Sequence, residues 1–380
     1  MTHRFWSTQP VPQGEVSEEG PISIPSIVST NPLPLPPSFE WTVVDIHNEQ
    51  QLQSLYELLS NHYVEDDDSC FRFNYSPQFL LWALTVPNYL SQWHLGVRKK
   101  DTGELLAFIA AIPQNLNVNS QIISMVSINF LCINSILRSK RLAPVLIKEI
   151  TRRVNLEGIF QATYTAGINI PTPFSEAQYF HRPINIKKLV ETDFLMLPAD
   201  KVRIKHKIYN SIPVSQGVSM RAMTSNDVDS VFEILTQYLA KFAVHPVFSR
   251  EEVAHYFLPR PRVVSSFVIV DSQDHVTDFI SYYHLPSSVL RAEKEENSML
   301  YAGYIYYYAQ SKTPIKDLIN SMLTVAREEG IDVVNCLSIM DNQSFLSDCM
   351  FGPGDGNLHY YLFNWKLKPV KDTQVALVLQ

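Results

Sequence analysis

The sequence predicts a mixed α/β protein built from two similar halves, and three features support this fold class. Its 380 residues exceed the length of one typical core, which favours two domains or two fused halves. Apolar residues make up 46% and charged residues 18% of the chain, the balance of an ordinary globular protein. The third feature is an order of strand and helix patterns that occurs twice, which indicates an internal duplication.

The first copy begins with a strand pattern, FEWTVVDI, and continues with a helix pattern. Asn48 is a residue type that caps helices, and Gln51 stands three residues later, as in a capping box. Apolar residues then recur at helical spacing from Leu52 to Leu59. Residues 93–113 predict a hairpin, because two apolar strand patterns flank an Asp-Thr-Gly turn.

The same order returns in the second half of the chain. Thr224 and Asp227 have the spacing of a cap before an apolar helix pattern, and residues 266–286 predict a second hairpin. The helix pattern RSKRLAPVLIKEITRR corresponds to QSKTPIKDLINSMLTVAR, and the strand pattern GIFQATYTAG corresponds to GIDVVNCLSI. Each copy therefore reads strand, helix, hairpin, strand, helix, strand, a mixed sheet with one parallel crossover.

Composition excludes several classes of protein. A formal net charge of −7 argues against nucleic acid as the main partner. The four cysteines are scattered and form no C-x-x-C pair, so we expect no metal site or disulfide scaffold and a reducing, cytoplasmic compartment. No apolar run reaches the roughly 20 residues of a membrane span, so no transmembrane segment is expected.

A cationic stretch in the first half favours an anionic ligand. Arg138, Lys140 and Arg141 cluster where the strand pattern 128–133 gives way to a helix, and Pro144 suits the first helical turn. Free N–H groups of that turn, the helix dipole and the cations would suit a pyrophosphate. A solvated basic cap would have the same composition, so this pattern leaves both interpretations open. The corresponding QSKTP has lost two of the positive charges, which predicts one cofactor site per chain.

This order of elements resembles the N-acetyltransferase (GNAT) superfamily, in which two neighbouring strands splay apart and an acyl-CoA thioester lies between them. The superfamily signature Q/R-x-x-G-x-G/A is matched by Arg138 and Ala143, whereas Arg141 replaces its first glycine. His62 and Asp66 also satisfy the H-x-x-x-D signature of condensing-type acyltransferases. The glycine that follows in that family is missing, which disfavours this interpretation.

Longer stretches, in order along the whole chain, resemble the eukaryotic glycylpeptide N-myristoyltransferases. They are FWSTQPVP, YVEDDDSCFRFNYSPQFLLWAL, NFLC, LRSKRLAPVLIKEITRRVN, ATYTAG, YFHRPIN, FGPGDGNL and VALVLQ. The resemblance implies two fused GNAT-like halves related by a pseudo-twofold duplication. It assigns residues 1–39 to an acyl-CoA-contacting segment and connector, 40–205 to the half with the myristoyl-CoA site, and 206–380 to the half with the peptide groove.

The resemblance also implies individual site residues. Its acyl-CoA positions are Arg4, Phe5, Trp6, Phe130, Leu131, Cys132, Ile133, Arg138, Ser139, Lys140, Arg141, Leu142 and Ala143. Its peptide positions are Tyr63, Asp66, Asp67, Asp68, Phe71, Phe73, Tyr179, His181, Tyr283, Ser287, Tyr304, Asn335, Asp355 and Leu358. Asn129 and Thr165 are catalytic candidates, and the backbone N–H groups of Phe130 and Leu131 would form an oxyanion hole. For GPGDGN, which contains Asp355, a tight turn before the next strand is the simpler expectation.

The same resemblance makes the α-carboxylate of Gln380 the general base. A glycine amine has a reference pKa near 8 and arrives mostly as ammonium, which must lose a proton before it can attack. An α-carboxylate has a reference pKa near 3.5, and burial would make it a better base. The final VALVLQ is therefore expected to be both a buried strand and the arm that delivers this group. A buried strand without a catalytic role is the alternative.

The implied reaction is direct transfer of myristate from myristoyl-CoA to N-terminal-glycine peptides and nascent proteins, by a protein expected to be a monomer. Two other classes stay open at this point. One is a GNAT-type enzyme with a different acyl group or acceptor, and the other is an inactive peptide-binding relative.

Overall fold

The computed structural model describes residues 4–25, 27–66, 68–213 and 220–379. The α-helices in these ranges are α1 Glu49–His62, α2 Pro77–Leu84, α3 Leu142–Leu156, α4 Ile186–Glu191, α5 Ala199–Asn210, α6 Val228–Leu239, α7 Arg250–Phe257 and α8 Ile315–Glu328. None of these described helices is long and apolar enough to cross a bilayer.

The strands of the same ranges are numbered in chain order. They are β1 Gly20–Pro21, β2 Phe39–Val43, β3 Phe71–Phe73, β4 His94–Lys99, β5 Leu105–Val118, β6 Gln121–Ile133, β7 Ala162–Ala166, β8 Ser175–Pro183, β9 Met220–Ala222, β10 Val244–Pro246, β11 Val264–Val270, β12 Val276–His284, β13 Ser287–Val289, β14 Met299–Leu300, β15 Ala302–Ala309, β16 Val333–Leu337, β17 Gly352–Phe363 and β18 Trp365–Lys366.

One 13-stranded mixed sheet forms the centre of the molecule. Its order is β2-β4-β5-β6-β7-β17-β8-β16-β15-β12-β11-β9, with β10 beside β5. Read from either edge, the order is strand, hairpin, and then a parallel pair, β6/β7 on one side and β15/β16 on the other. The two central strands are exchanged, because β17 pairs with β7 and β8 pairs with β16. The predicted mixed α/β class with an internal duplication is confirmed.

The helix starts agree with the sequence patterns, with one difference. Asn48 Oδ1 accepts the Gln51 backbone N–H at 3.1 Å, as predicted. The Gln51 side chain instead accepts the N–H of Asp45 at 2.9 Å, so only half of the capping box forms. Thr224 and Asp227 form a complete capping box, which begins a 3-10 turn that continues into α6.

Glycines end the two crossover helices in the same way. Gly158 follows α3 with φ 77°, and Gly330 follows α8 with φ 79°. This left-handed conformation is the usual C-terminal stop of a helix and favours glycine, which has no Cβ. The shared stop supports the correspondence between the two copies.

The helices of the first half pack on opposite faces of the sheet. Along β5, Phe108 and Ala110 belong to a large core that includes α1, whereas Ala107 and Ile109 belong to a second core that includes α3. Alternate residues of a strand point to opposite faces. The strand β6 therefore lies between α1 on one face and α3 on the other.

The chain boundary predicted between residues 205 and 206 falls within α5. The family-derived division into residues 1–39, 40–205 and 206–380 stays a prediction. The connector within 1–39 is tied to the rest of the protein, since the Leu33 N–H donates to the buried Glu149 of α3 at 3.0 Å.

Two local expectations near the C-terminal end are wrong. GPGDGN forms no tight turn before a strand but lies inside β17, where the pairing with β8 shifts register between Pro353 and Asn357. Val375–Val378 are buried as expected, yet they form no strand beyond one isolated bridge between Val375 and Val244. Single backbone bonds to Val244 and Met340, together with two tyrosine hydroxyls, hold this segment in place of a continuous ladder.

Candidate active site

The neighbouring parallel strands β6 and β7 diverge soon after they pair. They share only two register pairs, Val126 with Ala162 and Ser127 with Thr163. Beyond these pairs, β6 continues beside β5 and β7 continues beside β17. A gap therefore separates residues 128–133 of β6 from residues 164–166 of β7, and we call it the first opening.

A β-bulge in β6 borders the first opening. Phe130 and Leu131 together oppose the single residue Ile109 of β5. Phe130 is fully buried and has φ 56°, and its N–H donates to Asn129 Oδ1 at 2.8 Å. A bulge disrupts the ladder locally, and a non-glycine residue in the left-handed region is strained. The strained bulge is thus located where the oxyanion hole is predicted.

The start of α3 forms the second border of the first opening. Arg141, the N-cap of α3, has φ 56° and ψ 34° and makes no side-chain cap bond. It follows the 3-10 helix Ser135–Lys140, which contains Ser139. A right-handed residue followed by a left-handed one points successive N–H groups toward one spot, an arrangement that binds anions. Leu142 and Ala143 open the helix there, and the first turn contains no acidic residue.

Arg141 occupies the position of the signature glycine and adopts the conformation that glycine prefers. Arg138, Lys140 and Arg141 are all exposed beside this backbone. Arg138 has a further structural contact, because its guanidinium donates to the carbonyl of His62 at the end of α1.

The N-terminal segment packs beside the first opening. The Trp6 ring stacks on Tyr164 of β7 with centroids 5.5 Å apart, and Tyr164 stacks on Tyr361 of β17 at 5.0 Å. Phe5 contacts the edge of Trp6, and Arg4 is exposed. The Tyr164 hydroxyl is buried with no hydrogen-bond partner in the described chain, which leaves a donor available to a ligand.

The predicted peptide residues meet in a cluster of aromatic rings. Tyr283 and Tyr304 stack with centroids 5.2 Å apart, and Phe73 contacts Tyr304 at 6.4 Å. Tyr63 contacts Phe130 of the bulge at 6.2 Å. These rings come from segments that are distant in the sequence. The fold brings them together, which the sequence alone did not show. We call this cluster the aromatic groove.

Tyr75 completes the aromatic groove, and the sequence interpretation missed it. Its ring lies 5.2 Å from Phe130, 5.7 Å from Tyr63 and 6.1 Å from Phe73. The available signal was its alternate spacing with Phe71 and Phe73, which places the three residues on one side of an extended chain. Tyr75 therefore joins the groove to the bulge.

A histidine lies at the far side of the groove. His181 Nδ1 donates to Asn335 Oδ1 at 2.7 Å, and strand pairing sets Asn335 between His181 and Tyr304. Burial lowers the pKa of His181. A Cβ on Gly354 would approach His181 Nε2 to 2.3 Å, so any other residue here would displace the His181 ring, a constraint that the sequence did not reveal.

Other predicted peptide positions surround these groups. Tyr179 pairs with Leu337 in the register of β8 and β16, and burial raises the pKa of Tyr179 to about 12. Ser287 is buried and pairs with Phe73 across β13 and β3. Leu358, on β17, is half-buried. A phenol with a raised pKa stays protonated at neutral pH and can donate a hydrogen bond.

The predicted acidic residues are divided among several roles. Asp66 Oδ1 accepts the N–H groups of Cys70 at 2.8 Å and Phe71 at 2.6 Å, so this carboxylate shapes the loop. Asp68 and Asp355 are exposed. Asp67 lies outside the described residues.

Cys132 lies beside the bulge but is no acyl acceptor in this form. The side chain is 2% exposed, and burial raises the pKa of its thiol to about 12. Only the thiolate is an effective nucleophile. No group of three or more potential ligands in the described chain could hold a metal ion.

The C-terminal segment reaches the same region through two tyrosines that the sequence interpretation missed. The Tyr307 hydroxyl accepts the N–H of Val378 at 3.0 Å, and the Tyr360 hydroxyl donates to the carbonyl of Leu377 at 3.0 Å. Tyr360 also pairs in register with Thr165 at the end of β7. Gln380 lies outside the described residues.

Known families and proteins match this chain over almost its full length. A model of the N-terminal domain of myristoyl-CoA:protein N-myristoyltransferase matches residues 21–177, and a model of the C-terminal domain matches residues 191–377. A probable glycylpeptide N-tetradecanoyltransferase of Caenorhabditis elegans is 46% identical over 99% of this chain and 85% of its own length.

Two further relatives agree with these matches. Glycylpeptide N-tetradecanoyltransferase 1 of Arabidopsis thaliana is 45% identical over 100% of this chain and 89% of its own length. A crystal structure of Saccharomyces cerevisiae N-myristoyltransferase with bound myristoyl-CoA superposes with a TM-score of 0.93 at 40% identity, covering 100% of this chain and 99% of that one. With both domain models matched in order, this chain belongs to the myristoyl-CoA:protein N-myristoyltransferase family.

Proposed function

We infer that this protein is a glycylpeptide N-tetradecanoyltransferase, which transfers myristate from myristoyl-CoA to the α-amine of an N-terminal glycine. The observation that carries this inference is the meeting of the first opening and the aromatic groove at Phe130, whose ring contacts Tyr63 and Tyr75. An acyl donor in the opening and a peptide in the groove would present their reacting groups on either side of the bulge.

The donor is held at the start of α3. The left-handed Arg141, the uncapped N–H groups of Leu142 and Ala143, and the exposed Arg138 and Lys140 bind the phosphates of the CoA moiety. Phe5 and Trp6 cover the acyl-CoA from the side of β7. A thioester carbonyl then faces the bulge.

The bulge supplies the oxyanion hole. The amine nitrogen attacks the thioester carbonyl, negative charge develops on its oxygen, and the backbone N–H groups of Phe130 and Leu131 stabilise that charge. Such a donor contributes about 3–4 kcal/mol of transition-state stabilisation. The Phe130 N–H exchanges its bond to Asn129 for one to this oxygen. When the tetrahedral species collapses, the C–S bond breaks, the second proton of the attacking nitrogen passes to the departing sulfur, and CoA leaves as the thiol.

The α-carboxylate of Gln380 takes the proton from the glycine ammonium. Support comes from the residues that precede it, because Ala376, Leu377 and Val378 are buried and two tyrosine hydroxyls fix Leu377 and Val378. Thr165, opposite Tyr360, accepts a hydrogen bond from the amine before the attack. Burial raises the pKa of a carboxylate and makes it a better base.

The aromatic groove holds the first residues of a glycine-terminated peptide. His181 and Asn335 bind its polar groups, and Asp66, Asp67, Asp68 and Asp355 attract basic residues further along. We propose that nascent proteins are among the substrates, that the protein acts as a monomer, and that it works in the cytoplasm.

The test is incubation of the purified chain with myristoyl-CoA and a peptide that begins Gly-x-x-x-Ser, followed by mass analysis. We expect addition of one myristoyl group at the α-amine and no reaction of the matched peptide that begins with Ala. Equal modification of both peptides, or preference for another acyl-CoA, would favour the broader GNAT-type alternative. Binding of the peptide without any transfer would favour the inactive relative.

A Cys132→Ala variant separates direct transfer from an acyl-enzyme route. Since the pKa of the thiol is raised to about 12, we expect the variant to transfer at the normal rate without any enzyme-bound acyl group. Loss of transfer in a variant that still binds acyl-CoA would contradict direct attack.

A further inference from the structure

Helix α5 turns apolar side chains toward solvent. No residue of Ala199–Asn210 is buried, and Ile204 and Ile208, one helical turn apart, are 62% and 47% exposed. Helices in globular proteins are stabilised mainly by packing an apolar stripe against the core. In α5 that stripe faces away from the protein.

The orientation of α5 is fixed by contacts on its other side. The Arg182 guanidinium lies 4.9 Å from the Tyr209 ring centroid and donates to the Tyr209 carbonyl at 2.9 Å. Arg327 donates to the carbonyl of Asn210 at 3.0 Å. At 100° per residue, Tyr209 points well away from Ile204, so the two isoleucines cannot rotate inward without breaking these contacts.

Cations flank the exposed isoleucines on both sides. Around the helix, Lys201 and Lys205 lie on one side of the stripe, and Arg203 and Lys207 lie on the other. The ion pairs nearest in sequence within the described ranges are Lys187–Glu191 and Arg221–Asp227, and neither involves α5. Asp200 is the one acidic residue of the helix. This surface is cationic on a chain whose net charge is −7.

We propose that the outer face of α5 docks in the plane of an anionic lipid bilayer. An apolar stripe bordered by lysine and arginine is the pattern of interfacial helices, whose apolar residues enter the headgroup region while the cations contact acidic lipids. RNA phosphates would pair with the cations, but RNA provides no apolar surface in which the isoleucines could be buried. The chain needs no spanning helix for this contact.

The position of α5 relates membrane docking to the proposed peptide site. Five residues before Ala199, the first residue of the helix, the Phe194 ring contacts Phe71 at 5.8 Å and His181 at 5.4 Å, two predicted peptide positions. Membrane docking through α5 therefore holds the aromatic groove close to the surface that an acylated product would enter.

The test is flotation of the full chain with vesicles of phosphatidylcholine alone and with 30% phosphatidylserine, roughly the anionic content of a cytoplasmic leaflet. One variant carries Lys201→Gln, Arg203→Gln, Lys205→Gln and Lys207→Gln. Its matched control removes four exposed lysines elsewhere, with Lys100→Gln, Lys366→Gln, Lys368→Gln and Lys371→Gln. A second pair compares Ile204→Asn with Ile208→Asn against Ile24→Asn with Ile122→Asn, two other exposed isoleucines.

We expect binding to the anionic vesicles only, about 100-fold weaker partitioning for the α5 charge variant, and about tenfold weaker for the α5 isoleucine variant. Both control variants should bind like the unmodified chain. Transfer to a soluble peptide and the melting temperature should be unchanged in every variant, which separates this proposal from the proposed function. Absence of vesicle binding, or equal losses in the variants and their controls, would overturn it. Binding of poly(U) that depends on the α5 cations, with vesicle binding unaffected, would replace the bilayer with RNA.

Discussion

Two gaps in the sheet, one in each copy of the duplicated fold, differ in whether the C-terminal segment crosses them. The first opening lies between β6 and β7. Its counterpart, which we call the second opening, lies between residues 305–309 of β15 and 336–337 of β16, beyond the three register pairs that join those strands. The C-terminal segment crosses the second opening, where Tyr307 of β15 accepts the Val378 N–H and the Met340 N–H donates to the Val375 carbonyl. The same strand geometry thus surrounds the C-terminal segment in the second copy, whereas in the first copy it borders the proposed acyl-CoA site.

The N-terminal ends of α3 and α8, beside the two openings, also differ: within the described ranges, only the end of α8 has an anion supplied by the chain itself. Before α8, the buried carboxylate of Asp278 accepts the N–H groups of Ser311 at 2.7 Å, Lys312 at 3.1 Å and Thr313 at 3.1 Å. Before α3, the cationic stretch around Arg141 takes that place. In the second copy, the Asp278 carboxylate therefore occupies the place where these backbone N–H groups could bind an anion. The comparison supports our proposal that this corner of the fold binds an anion, which the second copy supplies from its own chain and the first copy takes from its acyl donor.

The largest expected effect comes from extending the chain beyond Gln380. A few residues added after Gln380 would turn its carboxylate into a neutral amide, and we expect single-turnover transfer to fall about 100-fold or more. Acyl-CoA binding should persist, because that site belongs to the first opening. Gln380→Ala is the control, since it keeps the α-carboxylate and should transfer normally. A folded, extended protein that transfers at the normal rate would make the C-terminal segment a structural plug only.

The next effect concerns the Asp278 carboxylate, which accepts the backbone N–H groups before α8. Asp278→Asn weakens three charge-assisted bonds to buried backbone N–H groups, and we expect the free energy of unfolding to fall by about 2 kcal/mol. Asp348→Asn, which changes an exposed carboxylate 3.5 Å from Lys316, should cost under about 0.5 kcal/mol. Denaturant titration of both variants is the measurement. Equal stability of the two would remove the assignment of an anion site before α8.

A smaller effect should follow from loosening the C-terminal segment. Tyr307→Phe removes the acceptor of the Val378 N–H, and we expect transfer to fall about tenfold with acyl-CoA affinity unchanged. Tyr308→Phe is matched to it, because it also removes a buried hydroxyl, one bonded to Asn342 at 2.8 Å. Equal losses of activity in the two variants would point to general destabilisation of β15.

The smallest effect separates the charge of Arg141 from its backbone. Both Arg141→Ala and Arg141→Gly should weaken acyl-CoA binding about fivefold at low salt and less at high salt, because a partly exposed cation is screened. Arg141→Gly should be about 1 kcal/mol more stable than Arg141→Ala, since glycine adopts the left-handed conformation without strain. Unchanged affinity in both variants at both salt concentrations would exclude the site.

The sequence predictions that are confirmed rest on short-range patterns. The cap at Thr224 and Asp227, and each helix and strand pattern of the repeated order, depend on residues a few positions apart. Such spacings express the local geometry of turns and helices, which the sequence records directly. The family resemblance added the site residues, which stay predictions for this chain.

The same local patterns failed where distant segments compete for the backbone. The last residues were expected to form a strand, but their hydrogen bonds join them to Tyr307, Tyr360 and single backbone groups of Val244 and Met340. GPGDGN was expected to turn, but its pairing with β8 draws it into β17 as an irregular stretch. In both places a partner more than ten residues away decided the conformation, and no local rule names that partner.

The chain order of residues was therefore enough to establish a duplicated mixed α/β protein, the helix caps at Asn48 and Thr224, and the cationic start of α3. Tertiary packing decided that β8 and β17 exchange places, that Phe130 and Arg141 take left-handed conformations, and that Tyr75 joins the groove to the bulge. It also decided that Asp278 and the C-terminal segment close off the second copy. The physical reason is that sheet register and side-chain contacts depend on which surfaces bury each other, whereas capping and periodicity depend only on neighbours along the chain.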